Sequence, residues 1–87
     1  MDDVRDRVEE IIRHLSQERD ELRVKMHLAK MEATDEWKEL EAKFAKLDAK
    51  ARELGGTTME ASKDIGAAAV LLGEEIRDGF KKLAGRL

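Results

Sequence analysis

The two histidines are the side chains best suited to bind a metal or transfer a proton, because the chain contains no cysteine. His14 lies one helical turn from both Glu10 and Glu18, a spacing that brings an imidazole close to two carboxylates. Helical dimetal sites use Glu-x-x-His pairs, and neither histidine follows a glutamate by three positions. We therefore interpret His14 as a solvated or helix-paired side chain and predict no metal site.

A second candidate site consists of Met26, His27 and Met31, which combine two thioethers with an imidazole as a soft copper site would. Met26 and Met31 are five positions apart and diverge around a helix, and no thiolate is available. Methionine also fills irregular contacts between helices well. We interpret these methionines as core or interface residues and expect no cofactor.

The sequence contains no recognisable catalytic constellation. No serine or threonine has a histidine at the helical spacing that would activate its hydroxyl group. Gly55 and Gly56 are followed by two threonines rather than by the Gly-Lys-Ser/Thr of a phosphate-binding loop. The carboxylates are numerous, and nothing selects a general acid and base among them. We predict no catalytic residue and no enzymatic activity.

The composition predicts an all-α protein. Charged residues make up 43% of the 87 residues and aromatic residues 3%, and proline is absent. A chain of this length forms a single domain, here residues 1–87, and buries a smaller fraction of its surface than a longer chain. Without disulfides, we expect association with other chains to complete the core.

Apolar residues recur every three or four positions through residues 1–54, which no glycine or proline interrupts. Gly55 and Gly56 form the clear break, where a glycine with positive φ ends a helix and Thr57 and Glu60 begin the next with a capping box. The predicted fold is an antiparallel helical hairpin with a long helix about 2–54, a Gly-Gly turn and a second helix about 58–85, assembling into a helical bundle by oligomerisation. The alternative is a three-helix bundle with a break near residues 33–36, where Asp35 could cap a new helix.

In this hairpin the second helix returns as far as Val24, so that Leu83 and Leu87 cover Leu28 and Val24. Residues 1–23 then overhang residues 24–87 by about 33 Å and expose an apolar stripe. Stripes of this kind mark interfaces, so we predict that residues 1–23 are an oligomerisation segment and that the chain forms a dimer. The predicted interface residues are Val4, Val8, Ile11, Leu15, Leu22, Met26 and Trp37.

The spacing of 11 residues between Ile11, Leu22, Ala33 and Phe44 indicates a nearly straight stripe. The spacing therefore favours looser helix packing over a left-handed coiled coil along the full length. The favoured function is a non-enzymatic structural or protein-interaction module that self-associates through amphipathic helices and offers its helix faces to a protein partner.

Two other functions remain open. A lipid-surface protein is suggested by the apolar stretch 65–72 and the basic residues that follow it, although acids and bases balance there. A small RNA-binding dimer would need a basic face, and the net charge of −3 argues against nucleic-acid binding. The partial candidates for such a face are Arg5, Arg13, Arg19 and Arg23. Residues 1–10 are too acidic for a signal peptide, and we expect a cytoplasmic protein.

Three stretches carry a resemblance to a known class of proteins: residues 20–29 (DELRVKMHLA), residues 35–41 (DEWKELE) and residues 72–80 (LGEEIRDGF). Together they resemble short uncharacterised bacterial coiled-coil proteins over about residues 18–83. The resemblance implies a bacterial source and a helical fold, and it implies no activity.

Overall fold

The computed structural model of the chain describes residues 4–30, 32–56 and 59–87, with only the backbone of residues 59 and 60. These residues form three helices: α1 (Val4–Leu28), α2 (Thr34–Leu54) and α3 (Met59–Gly85). No strand occurs among the described residues. The prediction of an all-α protein is confirmed, whereas the two-helix hairpin is wrong, since the bundle contains three helices.

The three helices run up, down and up. Val4 lies beside Gly66 and Ile11 beside Gly73, so α1 and α3 are parallel. Glu36 pairs with Arg86 and Lys43 pairs with Glu75, so α2 is antiparallel to α3. Because α1 is parallel to α3, α2 is antiparallel to α1 as well. Because α1 folds back onto α3, the longest dimension of the molecule is 46 Å, well short of the ~80 Å of a straight helix over residues 2–54.

The buried core follows a seven-residue spacing in every helix. Seven positions correspond to 3.5 residues per turn, the repeat that keeps one face of a helix against its neighbours. The buried members of this repeat are Val8, Leu15 and Leu22 in α1; Ala33, Leu40, Leu47 and Leu54 before and in α2; and Ala69, Ile76 and Leu83 in α3. Met26 and Phe80 complete the buried set.

Three glycines of α3 form sockets for large side chains of the other two helices. A Cβ atom at Gly66 would overlap the side chain of Val4, and one at Gly73 would lie 2.8 Å from Cγ2 of Ile11. A Cβ atom at Gly79 would overlap the side chain of Leu40 on α2. Glycine inside a helix costs about 1 kcal/mol relative to alanine, and here it permits close packing of α3 against both neighbours.

The break between α1 and α2 corrects the predicted continuous helix. α1 ends at Leu28, and Lys30 adopts a left-handed backbone with φ 54°. The N-cap of α2 is Ala33, which makes no side-chain hydrogen bond, so Asp35 does not cap the helix. A left-handed conformation costs a non-glycine residue about 1–2 kcal/mol. Burial of a single aliphatic side chain contributes about 1.5–3 kcal/mol, so the packing of α1 on α3 outweighs this local cost.

The second break lies where the sequence predicted it, but its geometry differs. α2 ends at Leu54, and Gly55 keeps a right-handed φ of −71° instead of the expected positive φ. The amides of Gly55 and Gly56 donate to the carbonyl oxygens of Arg52 and Glu53, which tightens the last turn. The predicted capping box lies outside the described residues, because it needs Thr57 and the side chain of Glu60. The predicted second helix, about 58–85, agrees with α3.

Candidate interaction surfaces

The predicted interface residues lie together, but inside the bundle. Val8 is 0% exposed, and Leu15, Leu22 and Met26 are buried as well. The remaining three predicted residues, Val4, Ile11 and Trp37, are partly buried and pack against this core. The apolar stripe of residues 4–23 is therefore covered by the same chain and does not overhang it. Contact of these residues with a second chain stays a prediction, but an uncovered stripe no longer supports it.

The seam between α2 and α3 is held by several kinds of contact. The ring of Trp37 stacks on Phe80 at a centroid distance of 6.0 Å, and its Nε1 donates to Glu41 at 2.8 Å. Two ion pairs cross the seam: Arg86 Nη1 lies 2.6 Å from Glu36 Oε2, and Lys43 Nζ lies 3.8 Å from Glu75 Oε2.

An open groove of about 410 Å³ runs along the seam between α1 and α3, and one of about 460 Å³ runs along the seam between α2 and α3. The groove beside α1 has an apolar floor of Ile11, Leu15, Val70 and Gly73 and a charged rim of Arg7, His14, Glu18, Glu74 and Arg77. Three ion pairs of α1 lie within that helix: Arg5–Glu9, His14–Glu10 and Arg19–Asp20. The closest described contacts of α1 with α3 are apolar, with Val4 against Gly66 and Ile11 against Gly73.

The candidate metal ligands do not converge. His14 Nε2 lies 3.8 Å from Glu10 Oε1 on the same helix, and both side chains are well exposed. Met26 is buried while His27 is exposed, and Met31 lies outside the described residues. Within residues 4–30, 32–56 and 61–87, no group of three acidic or histidine side chains is placed to hold a metal ion.

Four large apolar side chains remain exposed in the described chain: Val24, Leu28, Leu71 and Leu87. Val24 and Leu28 are 58% and 76% exposed and lie one turn apart on α1. Val24 follows buried Leu22 by two positions, about 200° around the helix, so this pair points away from the core. The predicted hairpin register hid both residues under Leu83 and Leu87. The sequence signal that distinguishes them is their half-turn offset from Leu22 and Met26.

The arginines proposed for an RNA-binding face contact acidic and aromatic side chains of the same chain. Arg5 pairs with Glu9 at 3.4 Å, and the guanidinium of Arg19 lies 4.8 Å from the centroid of Phe44 and 3.6 Å from Asp20. Arg13 lines a groove that Asp48 and Glu9 also line. Acids interleave with the arginines, so this face offers no continuous basic surface.

The described helices include none with the length and apolar character needed to cross a bilayer. On α3, exposed Leu71 lies one turn from Glu74 and Glu75, which are also exposed. These carboxylates oppose the contact with an anionic lipid surface that the stretch 65–72 suggested.

No protein-family model, no curated protein and no solved structure matches this chain. Function is therefore inferred from the packing and exposure of the three helices alone.

Proposed function

We propose that this chain is a non-enzymatic structural module that associates with a second copy of itself through the exposed face of α1. The observation that carries the proposal is the pair Val24 and Leu28, which is 58% and 76% exposed although the core beneath is complete. In a two-fold pair the same patch serves both copies, so each copy covers the apolar pair of the other.

The interior of the bundle supports a structural role. All buried side chains among the described residues are apolar, and no buried side-chain nitrogen or oxygen lacks a hydrogen-bond partner. Buried or closely paired titratable groups are the usual parts of an active site. The groove lined by His14 and the groove lined by Arg5 and Arg13 are both open to solvent. Their charged side chains lie on the surface of the bundle.

The size of the patch sets the expected strength. Two aliphatic side chains contribute far less than the ~800 Å² per partner of a standard interface. We therefore expect reversible association with a dissociation constant in the range of about 10 µM to 1 mM. A module of this kind responds to its own concentration.

Sedimentation equilibrium over a concentration series tests the proposal. The apparent mass of the unmodified chain should rise above 9.9 kDa at high concentration. The variant Leu28→Glu, studied without prior unfolding, should remain monomeric, because a carboxylate at the patch would have to be desolvated on association.

Leu71→Glu is the matched control, since Leu71 is 58% exposed like Val24 but lies on α3. This variant should associate like the unmodified chain. A mass that stays at 9.9 kDa at every concentration, or a loss of association in Leu71→Glu alone, would contradict the proposal.

A further inference from the structure

We propose that α1 exchanges between two copies of this chain: the connection between Leu28 and Thr34 straightens, and each α1 packs on the α3 of the other copy. The inference rests on the proposed self-association and names a second, larger contact for it. In the monomer and in the exchanged dimer alike, an α1 helix of identical sequence packs on α3.

The local sequence of the connection favours a helix. Ala29, Lys30, Glu32 and Ala33 are good helix formers, and no glycine or proline occurs before Gly55. The structure nevertheless places Lys30 at a φ of 54°, in the region that suits glycine, and leaves the N-cap residue Ala33 without a side-chain bond to the first turn. The break is therefore imposed by tertiary contacts, and straightening it relieves the strain at Lys30.

The contacts that impose the break are transferable between copies. Val4 and Ile11 fill the sockets at Gly66 and Gly73, and the seven-residue repeat that begins at Val8 is buried under α3. The ion pairs Arg5–Glu9, His14–Glu10 and Arg19–Asp20 lie within α1 and move with it. A second copy presents the same sockets and the same apolar face, so an exchanged α1 makes the same contacts.

The geometry of the bundle permits the exchange. α2 runs antiparallel to α1, so a straightened connection carries α1 out beyond the end of the bundle in the direction of α2. A two-fold axis at the connection then places this α1 antiparallel to the α2 of the other copy. In the monomeric bundle α1 is likewise antiparallel to its own α2. Residues 4–54 become one helix of about 76 Å. The exchanged dimer gains helical hydrogen bonds at the connection and loses translational freedom, so concentration favours it.

Two substitutions at one position test the role of the connection. Both substitutions remove the lysine side chain beyond Cβ. Lys30→Gly permits positive φ and disfavours a continuous helix, whereas Lys30→Ala favours a continuous helix. After each protein is warmed through its unfolding transition and cooled at high concentration, size-exclusion chromatography with light scattering gives the dimer fraction. The dimer dissociation constant should be at least about tenfold lower for Lys30→Ala than for Lys30→Gly. Equal dissociation constants would overturn the inference.

A thiol cross-link tests the contact itself, and the absence of cysteine makes introduced thiols unique. Glu18 and Arg77 line the same two grooves between α1 and α3. A chain carrying Glu18→Cys is mixed with a chain carrying Arg77→Cys, taken through the same warming and cooling, and treated with a short bismaleimide. An exchanged dimer yields a cross-linked product of the two different chains, and Lys30→Gly in both chains reduces its yield.

The outcomes separate this inference from the proposed function. A dimer without the mixed cross-linked product overturns the exchange and leaves association through Val24 and Leu28 standing. A chain that remains monomeric before and after warming, at all concentrations, overturns both. A mixed product that forms more readily with Lys30→Ala than with Lys30→Gly supports the exchange.

Discussion

The two seams of α3 show how differently one helix is held by its two neighbours. Against α2, α3 combines the Trp37–Phe80 stack with two ion pairs that cross the seam. Against α1, its closest described contacts are apolar, with Val4 and Ile11 seated on Gly66 and Gly73, and an open groove runs along each seam. From this difference we expect α2 and α3 to form the persistent unit of this fold and α1 to be released first on unfolding.

The largest expected effect comes from a core residue of the persistent unit. Leu47 is fully buried, and Leu47→Ala should lower the free energy of unfolding by about 2–5 kcal/mol, because it removes apolar contacts and leaves a cavity. Urea denaturation followed by circular dichroism measures this change. Exposed Ala49→Ser on the same helix should change it by less than about 1 kcal/mol. Comparable losses in the two variants would mean that Leu47 does not anchor the core.

Intermediate effects should come from filling the glycine sockets, and they should divide between the seams. Gly79→Ala forces Leu40 to move, and Gly73→Ala forces Ile11 to move, each at a net cost of about 1–2 kcal/mol after the gain in helix propensity. Hydrogen exchange should quicken mainly in α2 for the first variant and mainly in α1 for the second.

Gly85→Ala is the control for these two variants, because no atom lies within 4 Å of a Cβ built at Gly85. Its stability should be unchanged or slightly higher. If Gly73→Ala quickened exchange in all three helices equally, α1 would not be separable from the rest of the bundle.

The smallest effect is expected from the ion pairs. Glu75 pairs with Lys43 across the seam, and both side chains are partly exposed, so Glu75→Gln should cost about 0.2–1 kcal/mol. The difference should vanish in about 1 M salt, where charges on the surface are screened. Thermal unfolding at two salt concentrations measures it.

The neighbouring Glu74 offers a matched comparison, since it lies on the groove of α1 and forms no ion pair among the described residues. Glu74→Gln should leave the stability unchanged at both salt concentrations. Equal losses in the two variants would show that the clamp at Glu75 does not distinguish the seams.

Much of this fold could be predicted from local signals. The helical composition and the glycine pair at 55–56 predicted the fold class and the bounds of α3. The break after Leu28 carries no such signal, because Lys30, which has a positive φ, and Ala33, which is the N-cap, are not residue types typical of helix ends. A rule based on glycine and proline could not find it, and the alternative three-helix fold places the break a few residues too late.

The 11-residue spacing in the sequence does not coincide with the seven-residue repeat of the buried core. The 11-residue series joins buried Leu22 and Ala33 to Ile11 and Phe44, which are only partly buried. Two adjacent stripes were thereby read as one. The predicted interface residues form part of one apolar core inside the bundle, and their contact with a second chain stays a prediction. The exposure of Val24 and Leu28 follows from the register of the three-helix bundle, which depends on the break after Leu28.

The sockets on α3 also fix the position of α1 along the bundle. An interior of aliphatic side chains repeated every seven residues would otherwise tolerate a slide by one repeat. Sliding α1 forward would bring Ile11 against Phe80 in place of Gly73, and sliding it backward would bring Glu18 onto Gly73. Steric overlap prevents the first shift and desolvation of a carboxylate the second. Gly66 and Gly73 thus fix one register of α1 along α3, whether α1 comes from the same copy or from a second copy.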